Sequence, residues 1–253
     1  MNKRIIAGIA ALGIALSGGA IAAAPAQGAP SPTITVATEG TYAPFSFHKG
    51  TRLTGYDVDV FNAVAKKAGY TPKWVETTWD GIFAGLDSKR WQAIANQVTI
   101  TPERLAKYSF TKPNTVSNYV VITKKDDASV SKVQDISGKT AAQSATSSFA
   151  EEAKKYGANI QTVEGFTQAI TLLQQGRVDV TLNDSLAAWN YLRTTPNSGV
   201  KVAATFGSPS KQAFVFPKGT PYAAKFNAAL AALQKDGTIA AIGKKYFGRD
   251  VSK

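Results

Sequence analysis

The pattern of apolar and polar positions divides the chain into short alternating units. Residues 34–38 alternate apolar and polar side chains and predict a β-strand. Tyr56-Asp57 then opens a helix whose apolar positions Val60, Phe61, Val64, Ala65 and Ala68 fall on one face, closed by Gly69. Residues 73–76 predict a strand, 79–86 a short helix, and 91–98 a second strand. Thr101-Pro102-Glu103 reads as a helix start: a hydroxyl cap, a proline at the first position and an acid in the first turn. A strand is predicted at 118–123.

A similar series follows the polar stretch 124–132. Strands are predicted at 140–143, 160–163 and 178–183. Helices are predicted at 147–156 and 166–175, closed by Gly157 and Gly176, and from 185 through Tyr191. Residues 200–203 and 212–216 predict strands, and helices near 222–234 and 238–246 complete the chain. Two α/β series imply mainly parallel sheets covered on both faces, hence two lobes. Ligands of such folds sit where strand ends face a crevice.

The first residues break this pattern. Lys3 and Arg4 precede an apolar run at 5–16, and small residues continue to Ala29, with Ala24-Pro25-Ala26 as an acceptable cleavage site. This is the form of a secretory signal peptide, assigned to residues 1–26; the competing reading is a retained anchor, for which the run is short. The chain has no cysteine, so disulfides, thiol chemistry and the lipid anchor of a lipoprotein are not expected. An unlipidated periplasmic protein is the expectation.

Composition excludes more than it assigns. With 29 Lys and Arg against 17 Asp and Glu, the formal charge is +12. The basic residues are scattered pairs such as Lys66-Lys67 and Lys154-Lys155, which predicts a solvated surface and no nucleic-acid partner. His48 is the one histidine. Histidine triads and multi-histidine metal sites therefore lack members, and there is no phosphate loop. Neither metal nor cofactor nor enzymatic activity is expected.

Polar motifs remain at the predicted strand ends: Glu39-Gly40-Thr41-Tyr42, Gly55-Tyr56-Asp57-Val58-Asp59, Thr78-Trp79-Asp80-Gly81, the run from Asn96-Gln97 through Thr99 to Arg104, and Asn183-Asp184. In this order the sequence resembles the amino-acid-binding proteins of polar amino acid ABC importers, from about Thr33 to Phe247. The resemblance implies a two-lobed periplasmic-binding-protein fold of type II with two crossing strands, near 118–122 and 213–216. Lobe 1 would comprise 33–117 and 214–253, and lobe 2 118–213. It also implies a monomer serving a membrane permease.

The resemblance carries site roles. Arg104 matches the arginine that binds the ligand carboxylate, a role its planar fork suits. Thr99 matches a further carboxylate contact. Asp184 matches the acid that binds the ammonium; its residues alone read equally as a cap for the next helix. Ser144, Ser147 and Ser148 match contacts from lobe 2, with Thr146 where glycine is frequent. Tyr42 and Trp79 match aromatic walls. Glu39, Asn96 and Gln97 resemble the L-cystine- and cysteine-binding branch, where they would contact a second ammonium and carboxylate. Glutamine, histidine or arginine are the alternative ligands, and a cyclohexadienyl dehydratase on the same fold is the alternative activity.

Overall fold

The computed structural model describes residues 31–253; the expected signal segment 1–26 lies outside the described residues. Two five-stranded sheets form the frame. The first has the order β5-β1-β6-β13-β7, built from β1 (Thr33–Thr38), β5 (Thr71–Glu76), β6 (Ala93–Ile94), β7 (Tyr108–Phe110) and β13 (Val215–Pro217). The second has the order β10-β9-β11-β8-β12, built from β8 (Thr115–Lys124), β9 (Thr140–Gln143), β10 (Asn159–Thr162), β11 (Val180–Asp184) and β12 (Val200–Gln212). A small antiparallel sheet of β2 (Thr41–Tyr42), β3 (Ser46–Lys49) and β4 (Arg52–Thr54) sits beside the first.

Each large sheet is parallel in one half and antiparallel in the other. Strand β1 runs parallel to β5 and β6, and β9 parallel to β10 and β11. Strand β13 is antiparallel to β6 and β7, and β8 is antiparallel to β11 and β12. The expectation of mainly parallel sheets is thus met by half of each. The reversed strands are those next to the two crossings, where the chain leaves one sheet for the other and enters from the opposite end.

The crossings lie at residues 111–114 and 213–214, and residues 118–122 run inside the second sheet between β11 and β12. Strand β12 is far longer than the predicted 200–203. Gly207 and Pro209 mark a break in the sequence, but β12 is an edge strand whose pairing with β8 tolerates register shifts at those points. Conversely, the predicted strand 91–98 forms a ladder only at Ala93–Ile94. Beyond it the backbone turns, with Gln97 at φ +50°, a conformation uncommon for a side-chain-bearing residue.

Among the described residues, eight α-helices cover the sheets. Helix α1 (Tyr56–Lys67) carries Asp57 and Asp59 in its first turn and Lys66 and Lys67 in its last, complementing its dipole. Helices α2 (Trp79–Asp87), α3 (Pro102–Lys107), α4 (Ser148–Lys155) and α6 (Ser185–Thr194) start at side-chain caps: Thr78, Thr101, Ser147 and Asp184. Helix α5 (Gly165–Gln174) and the final pair α7 (Tyr222–Lys235) and α8 (Thr238–Phe247) complete the layers. The first core packs Phe61 against Phe214 and Phe226; the second sheet has its own clusters around Leu182 and Ile170. A third contact fixes α2: a Cβ at Gly85 would lie 1.9 Å from the Trp91 ring, so only glycine admits that ring. No helix among the described residues is long and apolar enough to cross a membrane.

Candidate functional site

A cavity with about 510 Å³ of non-atom space, part of it open to solvent, lies between the two lobes. Its walls are the C-terminal ends of β1, β6, β9 and β11 and the starts of α2, α4 and α5. Strand ends and helix N-termini expose backbone donors and admit short side chains, so the polar groups converge there.

Glu39, Tyr42, Trp79, Asn96, Gln97 and Thr99 line the cavity from the first lobe, and Ser144, Ser147 and Ser148 line it from the second. Three other expected positions do not line it. Arg104 stands behind the wall residues Thr99 and Trp79, Thr146 is exposed, and Asp184 is the buried last residue of β11. Sequence reading missed Gln143, Phe149, Gly165, Phe166, Ala169, Thr181 and Asn183, which complete the lining. Asn183 was within a motif already singled out. The apolar members look like ordinary helix faces, and only tertiary packing aims them inward.

Glu39 is the one carboxylate in the wall. Burial raises its proton affinity, a hydrogen bond from Asn96 Nδ2 (2.6 Å) opposes that, and the charges of Glu164 and Asp80 add to the rise. Asn96 is held in turn by Thr38 Oγ1 (2.8 Å) and the Glu39 amide (2.9 Å), both donating to its Oδ1. Gly165 brings the start of α5 against this acid: a Cβ there would lie 3.1 Å from Glu39 Oε1. Tyr42 donates across the cleft to Asn183 Oδ1 (2.7 Å).

Gln97 is locked by Asp57. Its amide N–H donates to Asp57 Oδ2 (2.6 Å), and its Nε2 donates to Asp57 Oδ1 (3.0 Å) and Thr115 Oγ1 (3.1 Å). A carboxylate only accepts, so the amide orientation is fixed and Oε1 is left as a buried acceptor without a protein partner. Trp79 Nε1 is likewise a buried donor without one. Unpaired buried groups in a cavity wall cost stability unless something bound there satisfies them.

Arg104 is 9% exposed. Its Nη1 donates to the carbonyl of Thr99 (3.0 Å) and its Nη2 to the carbonyl of Thr146 (3.1 Å). The guanidinium carbon lies 5.4 Å from the Trp79 ring and 5.3 Å from the Phe83 ring. No carboxylate among the described residues pairs with it, and burial lowers its proton affinity. A buried cation without a counter-ion beside a cavity attracts an anion.

Asp184, the last residue of β11, lies outside the cavity lining with its carboxylate engaged inside the protein. Its Oδ1 accepts from the Leu186 amide (2.7 Å) and caps α6, while Ser117 Oγ and Gln212 Nε2 reach its Oδ2. Ser117 and Gln212 belong to the paired strands next to the crossings. This acid is a helix cap that also ties the second lobe to the hinge. Burial pushes Asp184 up to about 6 and Asp57 up to about 7, with the hydrogen bonds of each opposing the shift.

The family described as bacterial extracellular solute-binding proteins, family 3, matches residues 34–249. The L-cystine-binding protein TcyA of Bacillus subtilis is 48% identical over 223 residues, covering 87% of this chain and 83% of that protein. The L-cystine solute receptor of Neisseria gonorrhoeae, in its unliganded open conformation, is 41% identical over 88% of this chain and 96% of its own, with a TM-score of 0.59. An ancestral arginine-binding protein bound to arginine is 30% identical over 87% of this chain and 100% of its own, with a TM-score of 0.82. The less identical protein superposes better, and in this chain the Tyr42–Asn183 and Ser148–Thr99 hydrogen bonds join the two lobes directly. With the matched span taking in both sheets, both crossings and every wall of the cavity, the chain belongs to the bacterial extracellular solute-binding proteins, family 3.

Proposed function

We propose that this chain captures a free amino acid, L-cystine or L-cysteine, between its lobes and presents it to the permease of an ABC importer. The observation that carries this reading is the buried Arg104 cation without a counter-ion behind one side of a cavity that holds the Glu39 carboxylate. Such a pair of opposite charges complements a zwitterion, which an apolar cavity would reject. The carboxylate of the ligand would meet the Arg104 side at Thr99 and the serines at the start of α4. An ammonium would meet Glu39 and Gln97 Oε1. Cystine carries two of each group, which matches the abundance of polar wall residues, and the likeness to TcyA supports the same ligand.

Lobe 1 in this reading comprises 33–117 and 214–253, and lobe 2 comprises 118–213. The protein would work as a monomer, exported to the periplasm after loss of residues 1–26, without a lipid and without nucleic-acid partners. The test is calorimetric titration of purified protein with L-cystine, L-cysteine, L-glutamine, L-histidine and L-arginine under defined redox conditions. Tightest binding of cystine or cysteine is expected. Preference for one of the others would refute the ligand assignment and keep amino-acid capture. Glutamine, histidine or arginine is the second reading, because the fold is shared with an arginine-bound relative. Turnover of prephenate or arogenate would instead establish the dehydratase alternative.

A further inference from the structure

Thr146 was expected at the ligand and is not there; what it touches instead is Asp80. Asp80 lies in the first turn of α2 in the first lobe, outside the cavity lining. Its Oδ1 accepts from Thr146 Oγ1 (2.7 Å) and from the Thr146 amide (3.1 Å), and its Oδ2 accepts from the Ala145 amide (3.4 Å). The Thr146 carbonyl accepts from Arg104 Nη2 (3.1 Å), again in the first lobe. The hydroxyl, the amide and the carbonyl of one residue are therefore all engaged across the cleft. Its neighbours Ser144, Ser147 and Ser148 are the ones that line the cavity.

Away from the hinge strands, where the Ile100 amide donates to the Lys211 carbonyl (2.9 Å), two other bonds between the lobes differ in place. Tyr42 to Asn183 and Ser148 to Thr99 join residues of the lining itself, so a bound molecule bears on them directly. The Asp80 bonds form at the outer lip, where Thr146 is exposed. They exist only when the lobes are together, and they make no contact with whatever the cavity holds. We propose that Asp80 is a positioning residue: with Thr146 it latches the 144–147 loop to the first lobe, setting the three serines at the cavity and stabilising closure by the same amount for every ligand. This rests on capture of a ligand between the lobes and not on which amino acid it is.

The consequence is quantitative. A ligand that binds the closed state has an apparent affinity reduced by the fraction of protein that is competent to close. Removing the latch lowers that fraction equally for all ligands. A residue that touches the ligand would instead weaken some ligands more than others. A glycine at 146 would keep the amide bond to Asp80 and lose the hydroxyl bond, so Thr146 makes this latch stronger than glycine would.

The test uses Asp80→Ala and Thr146→Val. The second variant removes only the hydroxyl bond and leaves the start of α2 intact. Because the chain has no cysteine, Lys66→Cys and Lys154→Cys place two maleimide spin labels, one on each lobe, without background. Distances between the labels are measured with and without L-cystine, and dissociation constants and rates are measured for L-cystine and L-cystathionine. Asp80→Ala is expected to weaken both ligands by one common factor of about tenfold, about 1.4 kcal/mol. The loss should appear as faster dissociation, with longer label distances in the unliganded protein. Thr146→Val should move both readouts the same way by less. A loss that differs between the two ligands, or label distances unchanged in both variants, overturns the proposal. If neither compound binds, the cystine assignment fails while amino-acid capture stands, and the label distances of the unliganded protein still decide the latch.

Discussion

Arg104→Ala tests the proposal that this buried cation recognises the ligand carboxylate. The wild-type guanidinium is 9% exposed, bridges the Thr99 and Thr146 carbonyls and lies against two aromatic rings. Three of its five N–H groups remain for other acceptors once those two bonds are made. If a ligand carboxylate takes them, truncation leaves that carboxylate desolvated and unpaired, which typically costs ~2–5 kcal/mol. The dissociation constant should then rise by roughly 30-fold to several thousandfold. Stability of the unliganded protein should respond much less. Losing two bonds to carbonyls is destabilising, but removing a buried cation without a counter-ion relieves a desolvation cost of opposite sign. Calorimetry with L-cystine and thermal melting of the unliganded variant read the two effects separately. A variant that binds as wild type would show that Arg104 is only a strut between two backbone segments. A variant that loses stability as steeply as affinity would show the same.

Asp184→Ala should cost the α6 cap, ~0.5–2 kcal/mol of stability, and weaken ligand binding far less than Arg104→Ala, because both Asp184 carboxylate oxygens already accept from Ser117, Gln212 and the Leu186 amide; an affinity loss as large as that of Arg104→Ala would establish it as the ammonium contact. Acidification should stabilise the unliganded protein. Asp57 and Asp184 have folded values of about 7 and about 6 against an ordinary 3.8, so between about pH 4 and pH 7 the folded state holds protons the unfolded chain has released. Stability therefore falls as pH rises through that window. Melting temperatures of the wild type at pH 5 and pH 7 test the sign, and Asp57→Asn should flatten the difference; a wild type that melts higher at pH 7 would refute the assignment.

The local rules of the chain were legible in the sequence. The cap at Thr101, closing glycines at 69, 157 and 176, and the apolar face of α1 depend on residues a few positions apart, so spacing alone carries them. The ordered strand-end motifs identified the family and nine of the residues that line the cavity, Glu39 through Ser148. Tertiary structure decided whatever depends on partners far along the chain. Antiparallel insertion of β13 and β8 follows from crossings that no local pattern marks. The length of β12 follows from pairing with β8 and overrides a Gly-Ser-Pro break. At Asp184, Arg104 and Thr146 the residue type was right for a ligand contact, but orientation is set by Ser117, Gln212, Thr99 and Asp80, which lie tens of residues away or more in most cases. A charged side chain takes the partners that satisfy it at the lowest cost in desolvation, and sequence specifies those partners only after the chain has folded.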